Sequence, residues 1–208
     1  MIAILDYGAG NLQSVRKALD YIGAKNCITA DRAQIEAADA VILPGVGAFG
    51  TAMDCLRQSG LLETVRAAAL SDTPFLGICL GLQMLFDKSE ESPGAAGLSV
   101  MPGEVLRFPK EIGLKIPQIG WNSIHTDPDC PLFSGVPDGA YVYFVHSYYL
   151  KAANPQNVAA TAEYGIEFHA AAADTDKKLF ATQFHPEKSG AVGLRILQNF
   201  AAMQKGGK

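Results

Sequence analysis

The sequence has no surplus of basic side chains: 17 Lys and Arg stand against 21 Asp and Glu, for a formal net charge of −4. Such a chain carries no electrostatic footprint for a nucleic-acid backbone or an anionic lipid surface, so neither is expected as a partner. It has no apolar run near the ~18 residues that a membrane-spanning helix requires. Its opening, Met1-Ile2-Ala3-Ile4-Leu5-Asp6, shows neither the basic n-region nor the cleavage site of a secretory signal. A cytoplasmic protein is therefore expected. Cysteine is sparse and scattered: Cys27, Cys55, Cys79 and Cys130 form no C-x-x-C pair and no Cys/His cluster at zinc-ligand spacing. Reduced thiols are expected rather than a disulfide framework, with no metal and no cofactor. Internal repeats, low-complexity tracts, long charge runs and linker-like stretches are also missing. The 208 residues, 49% of them hydrophobic, can bury a large core and read as one α/β domain over 1–208.

Hydrophobic periodicity organises the first half. Ile2 to Leu5 reads as a buried strand, Asp6 to Asn11 as a loop, and Leu12, Val15, Leu19 and Ile22 as one helical stripe that Gly23 closes. Strands are expected at Asn26–Thr29, Ala40–Leu43 and Pro74–Ile78, with helical material from Thr51 to about Leu70. Strands alternating with helices at this spacing predict a doubly wound, mainly parallel sheet with helices on both faces and sites beyond the carboxyl ends of the strands. From Gly97 the rhythm changes. Short strand-like segments at Val100–Phe108, Ile119–His125, Tyr141–Leu150, Val158–Glu163 and Phe168–Ala172 are broken by Pro and Gly turns and predict an additional mixed or antiparallel β region. A last strand, Leu179–Phe184, runs into His185-Pro186-Glu187-Lys188-Ser189 and a closing helix with Leu194, Leu197 and Phe200 inward. Gln204 to Lys208 reads as a frayed tail.

The stretch with the clearest chemical character is Gly77-Ile78-Cys79-Leu80-Gly81, between the strand ending at Ile78 and a helical run carrying Leu82, Leu85 and Phe86. Glycines on either side of a nucleophile permit the sharp turn that lifts its side chain out of a sheet, and a helix N-terminus favours the thiolate. Taken alone the pattern equally describes a small buried cysteine between packing glycines. A cysteine nucleophile needs a base and a group that orients the base. Of the four histidines His185 is the best placed, just beyond a strand, and Glu187 can turn its carboxylate back onto the ring. Cys79, His185 and Glu187 thus form a candidate triad, against the plain alternative of a surface histidine beside a solvated glutamate. The Pro44-Gly45-Val46-Gly47 loop and the Leu80 amide could direct N–H groups at an oxyanion; otherwise the loop is a simple strand-to-helix turn. It lacks the G-x-x-x-x-G-K-[ST] and G-x-G-x-x-G patterns of a nucleotide cradle.

Gly77-Ile78-Cys79-Leu80-Gly81-Leu82-Gln83 together with Gln183-Phe184-His185-Pro186-Glu187-Lys188-Ser189 resembles the class I (triad) glutamine amidotransferases. Asp6-Tyr7-Gly8-Ala9-Gly10-Asn11-Leu12, Leu43-Pro44-Gly45-Val46-Gly47-Ala48-Phe49, Ile119-Gly120-Trp121-Asn122 and Tyr143-Phe144-Val145-His146-Ser147-Tyr148 are similar to the glutaminase subunits of imidazole glycerol phosphate synthases. The resemblance spans essentially the whole chain and implies a flavodoxin-like α/β fold. It also implies hydrolysis of L-glutamine through a Cys79 thioester, with no cofactor, and delivery of ammonia to a separate (β/α)8-barrel cyclase subunit in a heterodimer. On the same ground Val46, Gly47 and Leu80 supply the oxyanion contacts, in an orientation that depends on the partner. Gln83 and the backbone around His146, Ser147 and Tyr148 bind the substrate, and Asn11, Trp121, Tyr143 and Lys188 lie at or near the cyclase.

There are two departures from the resemblance: Gln118, where histidine is usual, and Ala181-Thr182, where a glycine-valine pair is usual. Neither belongs to the triad. The alternatives are a glutaminase subunit of another class I amidotransferase, for anthranilate or pyridoxal phosphate synthesis, a non-catalytic scaffold of the same fold, and a cysteine peptidase. Trp121-Asn122 and the Asp6–Leu12 loop argue against the first, the intact triad against the second, and the lack of a peptide-binding extension against the third. Core aromatics (Trp121, Tyr143) and a solvated charge (Lys188) remain the plain readings of the proposed interface.

Overall fold

The computed structural model describes residues 1–204; the expected frayed tail lies outside the described residues from 205 onward. In the first half, β1 (Ile2–Leu5), α1 (Leu12–Tyr21), β2 (Asn26–Thr29), α2 (Arg32–Glu36), β3 (Ala40–Gly45), α3 (Phe49–Gln58), α4 (Leu62–Leu70), β4 (Phe75–Cys79) and α5 (Leu80–Met84) follow one another. The second half contains β5 (Lys88–Ser89), β6 (Gly103–Arg107), β7 (Gln118–Thr126), β8 (Ala140–His146), β9 (Tyr148–Ala152), β10 (Val158–Glu163), β11 (Glu167–Asp174), β12 (Leu179–Thr182) and α6 (Gly190–Ala202).

The sheet runs β2-β1-β3-β4-β12-β11-β10-β7-β8, with β5, β6 and β9 attached beside it. From β2 to β12 every neighbouring pair is parallel, and from β12 to β8 every pair is antiparallel. Helices cover both faces of the parallel part, which is why β1, β3 and β4 are apolar without alternation. Ile2 and Ile4 of β1 meet Val15 and Leu19 of α1 and Leu197 and Phe200 of α6 on one side. Ala3 and Leu5 meet Ile35 of α2, Met53 and Leu56 of α3 and Val65 of α4 on the other. The mainly parallel, doubly wound sheet with an antiparallel extension is the architecture that the spacing predicts.

Local differences have local causes. The expected helical span from Thr51 to Leu70 is two helices, because Gly60 takes φ +73° and Arg32 binds its carbonyl at 2.6 Å. The expected strand Tyr141–Leu150 is two, β8 on β7 and β9 on β6 and β11, so the chain changes partners at Ser147. Helix α2, capped by Asp31 on the Gln34 N–H, and the two-residue β5 are too short to leave a periodic trace. The helix after Cys79 ends at Met84. In α6, Ile196 rather than Leu194 joins Leu197 and Phe200 in full burial. The last strand stops at Thr182, leaving Gln183 and Phe184 beyond it.

Three glycines allow the centre of the sheet to close around Cys79. A Cβ at Gly45 would lie 2.7 Å from the Gly81 nitrogen, one at Gly77 would lie 2.7 Å from the Gly81 oxygen, and one at Gly81 would overlap the Leu43 carbonyl oxygen. Backbone therefore packs on backbone where β3, β4 and α5 meet. Gly81→Ala should lower unfolding stability by about 2 kcal/mol or more in a denaturant titration, because no flexible side-chain end can give way.

Candidate active site

Cys79 is the last residue of β4 and the cap of α5, with φ +56° and ψ −109°. Such a conformation costs of order 1–3 kcal/mol for a residue with a Cβ and persists only where its surroundings enforce it. Here the parallel ladder holds it: Gly45 of β3 pairs with Cys79, and Thr182 of β12 pairs with Ile78. The chain leaving β3 thus passes the sulfur as Val46-Gly47, and the chain leaving β12 passes it as Gln183-Phe184-His185. Sequence positions more than a hundred residues apart reach the carboxyl edge of one sheet in adjoining strands.

His185 is buried, and its Nδ1 lies 2.8 Å from Glu187 Oε1, with both side chains almost wholly shielded from solvent. The other ring nitrogen, Nε2, has no hydrogen-bond partner. Burial alone would lower the basicity of the ring. Interaction with Cys79 and Glu187 outweighs it and pushes the pKa up to about 9. His185 therefore holds a proton through neutral pH while facing the sulfur.

A cavity of about 350 Å³ is lined by Val46, Gly47, Cys79, Leu80, Gln83, Glu91, Pro117, Val145, His146, Ser147, Tyr148 and His185. It brings together the nucleophile, the base, the oxyanion residues and the substrate-contact residues expected from the sequence. Glu187 stands behind His185, outside the lining. Glu91, Pro117 and Val145 line the cavity as well, though the sequence singled out none of them as a site residue. Glu91 Oε2 accepts the Phe49 N–H at 2.8 Å and Ser92 Oγ accepts the Gly50 N–H at 2.9 Å, which anchors α3 at the far end of the Val46-Gly47 loop. At the near end Tyr7 donates its hydroxyl to the Pro44 carbonyl at 3.0 Å.

His146 contributes to the cavity wall, but its ring belongs to the core. It packs among Phe108, Phe144 and Phe168, with Nδ1 2.8 Å from the Tyr148 carbonyl and Nε2 2.9 Å from the Gln118 side-chain amide. Burial holds its pKa down to about 4, so the ring is neutral: Nδ1–H donates to Tyr148, and Nε2, left as an acceptor, calls for the Gln118 amide to turn its NH2 rather than its Oε1 toward the ring. With both nitrogens engaged, the ring offers the cavity no free polar atom. Gln118 is buried, with its side-chain amide against the His146 ring.

Three of the residues expected at a subunit contact, Trp121, Tyr143 and Lys188, lie side by side. Trp121 is 55% exposed and meets Tyr143 edge-on at 6.2 Å, and Lys188 Nζ sits 5.9 Å over the Tyr143 ring. Trp121 is therefore not a core aromatic. Exposed Ile119 and Tyr141 extend the apolar surface along the β7–β8 ribbon. Asn11 caps α1, which packs against the 186–188 turn. The ribbon is tied to that turn. The His185 N–H donates to the Tyr143 carbonyl at 3.0 Å, the Tyr143 N–H donates to Ser189 Oγ at 2.9 Å, and that hydroxyl donates to the His185 carbonyl at 2.6 Å. No helix among the described residues is long and apolar enough to cross a membrane.

The family model for class-I glutamine amidotransferases matches residues 3–203. The chain belongs to that family. The imidazole glycerol phosphate synthase subunit HisH of Methanosarcina mazei is 52% identical over 202 residues, covering 97% of this chain and 98% of its own. The subunit of that name from Dehalococcoides mccartyi is 47% identical over 208 residues, the whole of both chains. A crystal structure of a glutamine amidotransferase superposes with a TM-score of 0.75 at 19% identity, covering 97% of each chain, which speaks for the fold. As a class-I glutamine amidotransferase, this chain is an enzyme.

Two titrations in this amidotransferase have opposite sign. The raised pKa of His185 contributes stability that is full below about pH 6.5 and lost as pH rises through about 9. Glu187→Gln should therefore destabilise the protein most near pH 6, and the difference from wild type should shrink above pH 9 in thermal melts. The lowered pKa of His146 contributes stability present above pH 6.5 and lost as pH falls toward 4. His146→Asn should lower the melting temperature at neutral pH, by an amount that shrinks progressively between pH 6.5 and 4.

Proposed function

We propose that this amidotransferase is the glutaminase subunit of an imidazole glycerol phosphate synthase, acting in histidine biosynthesis in the cytoplasm as one domain over 1–208. The observation that carries the reading is the strained Cys79 sharing a cavity with His185, whose far nitrogen is held by Glu187. The near-full-length similarity to subunits of that name supports the choice of synthase over the other class I systems.

Cys79 Sγ attacks the side-chain carbonyl carbon of L-glutamine as a thiolate. The amides of Gly47 and Leu80, with Val46 setting the loop, receive the negative oxygen. As the tetrahedral adduct collapses, the C–N bond breaks and His185 Nε2 gives its proton to the departing nitrogen, releasing ammonia and leaving a glutamyl thioester. Water then gives a proton to the same nitrogen and adds to the thioester carbon, and the C–S bond breaks to release glutamate and the thiolate. Glu187 keeps the ring oriented throughout. Gln83 and the backbone of His146, Ser147 and Tyr148 hold the α-amino and carboxylate groups of the substrate.

Ammonia passes to a (β/α)8-barrel cyclase subunit, the heterodimer partner, which docks over Asn11, Trp121, Tyr143 and Lys188. The cyclase forms imidazole glycerol phosphate and aminoimidazole carboxamide ribotide. Partner binding activates the glutaminase by reorienting the Val46-Gly47 loop, where Gly47 at φ +95° has open space around its Cα.

Cys79→Ala should lower glutamine hydrolysis by at least about a thousandfold in the complex while leaving synthesis from added ammonium intact. Retained hydrolysis would remove the nucleophile assignment. Purified alone, the wild-type chain should release little ammonia, and much more once the cyclase and its nucleotide are added. Trp121→Ala should weaken association with the cyclase by about tenfold or more in a binding titration.

A further inference from the structure

Gln183 takes no part in the mechanism above, yet it is wholly buried against the nucleophile. Its Nε2 lies 3.8 Å from Cys79 Sγ and its Oε1 lies 3.0 Å from Gln83 Nε2, which also reaches the Tyr148 carbonyl at 3.2 Å. The orientation of both amides follows from one group that cannot be reversed. A backbone carbonyl only accepts, so Gln83 must turn its NH2 toward Tyr148. The second proton of that NH2 then calls for an oxygen, which sets Gln183 with its Oε1 toward Gln83 and its own NH2 toward the sulfur. Reversing Gln83 would set oxygen against oxygen at Tyr148, and reversing Gln183 would set donor against donor. The Tyr148 carbonyl is held by the His146 Nδ1–H, and the Gln183 backbone N–H is held by the Ala170 carbonyl at 2.8 Å. Every member of the chain is thus fixed before any substrate arrives.

We propose that Gln183 is a further catalytic residue: its side-chain N–H stabilises the thiolate of Cys79, with its orientation set through Gln83 by the Tyr148 carbonyl. A thiol is a weak acceptor and a thiolate a strong one, so the N–H favours the charged sulfur over the neutral one. The sulfur bears that charge twice in a turnover, before attack and again when the thioester bond breaks. The N–H is already in place and needs no reorganisation at either step. His185 exchanges protons with the reactants, whereas Gln183 only donates a hydrogen bond, so their contributions separate by pH.

The proposal rests on the reading of Cys79 as the nucleophile, and the test uses the complex with the cyclase. Gln183→Met removes the donor at similar volume, and Gln183→Glu puts a carboxylate against the sulfur. The pH at which iodoacetamide labelling of Cys79 is half-maximal, followed by peptide mass spectrometry, should rise by about one unit in the first variant and further in the second. Glutaminase kcat/KM at pH 7 should fall about tenfold or more, while ammonium-dependent synthesis stays at wild-type level. Wild-type protein supplies a readout independent of any variant's folding: the ¹⁵N side-chain amide signal of Gln183 should titrate in step with Cys79 labelling and should lose that titration in Cys79→Ala. Variants that keep ammonium-dependent synthesis with an unshifted labelling profile would overturn the proposal, as would a Gln183 amide that does not respond to pH in wild type. A wild-type complex that hydrolyses no glutamine would instead count against the enzymatic reading, with the amide titration still deciding the hydrogen bond.

Discussion

The site depends on backbone packed against backbone. At Gly45, Gly77 and Gly81 the ends of β3 and β4 and the start of α5 come closer than any side chain permits. That closeness forces Cys79 into a left-handed conformation and sets Val46-Gly47 along its flank. The strain at one cysteine is offset by burial across the whole parallel sheet, where both faces of β1, β3 and β4 are covered. A cysteine held this way is positioned by the closely packed middle of the sheet. The groups around it leave β12 and β3 beyond the last ladder pairs, held by side-chain and loop hydrogen bonds instead.

Polar groups near the cysteine are arranged by the same economy of orientation. Two histidines less than forty residues apart in sequence are tuned in opposite directions: His146 is kept neutral among aromatic rings, and His185 is kept protonated by a carboxylate and a sulfur. The first acts as structure and holds the Tyr148 carbonyl. The second is available for proton transfer because one of its nitrogens is left without a partner. Burial alone would push both the same way, so neighbouring charge decides which is which.

Much of this was legible in the sequence, because it depends on backbone rules. The G-x-C-x-G corner, the strand before it and the strand before His185 need specific residue types at fixed offsets, and Ile2–Leu5, Asn26–Thr29 and Val158–Glu163 are strands over the residues that periodicity marks. What could not be read is set by side-chain packing across the fold. Glu91 anchors a helix forty residues upstream, and nothing in its neighbours announces that. Gln118 and His146 meet only when β7 pairs with β8. The break at Ser147 is invisible in a continuous β-forming run, because it reflects a change of sheet partner rather than a turn residue. Helix α2 has five residues and too few turns to show a stripe.

One hydroxyl, that of Ser189, helps to join the outward ribbon to the chain around His185. Ser189 bonds both the amide of Tyr143, on the outward ribbon, and the carbonyl of His185, while the His185 amide bonds Tyr143 in return. The sulfur is rooted in the middle of the sheet and shares none of these bonds. The outward ribbon is therefore tied by hydrogen bonds to the chain that carries the imidazole, and by none of these three to the chain that carries the thiol.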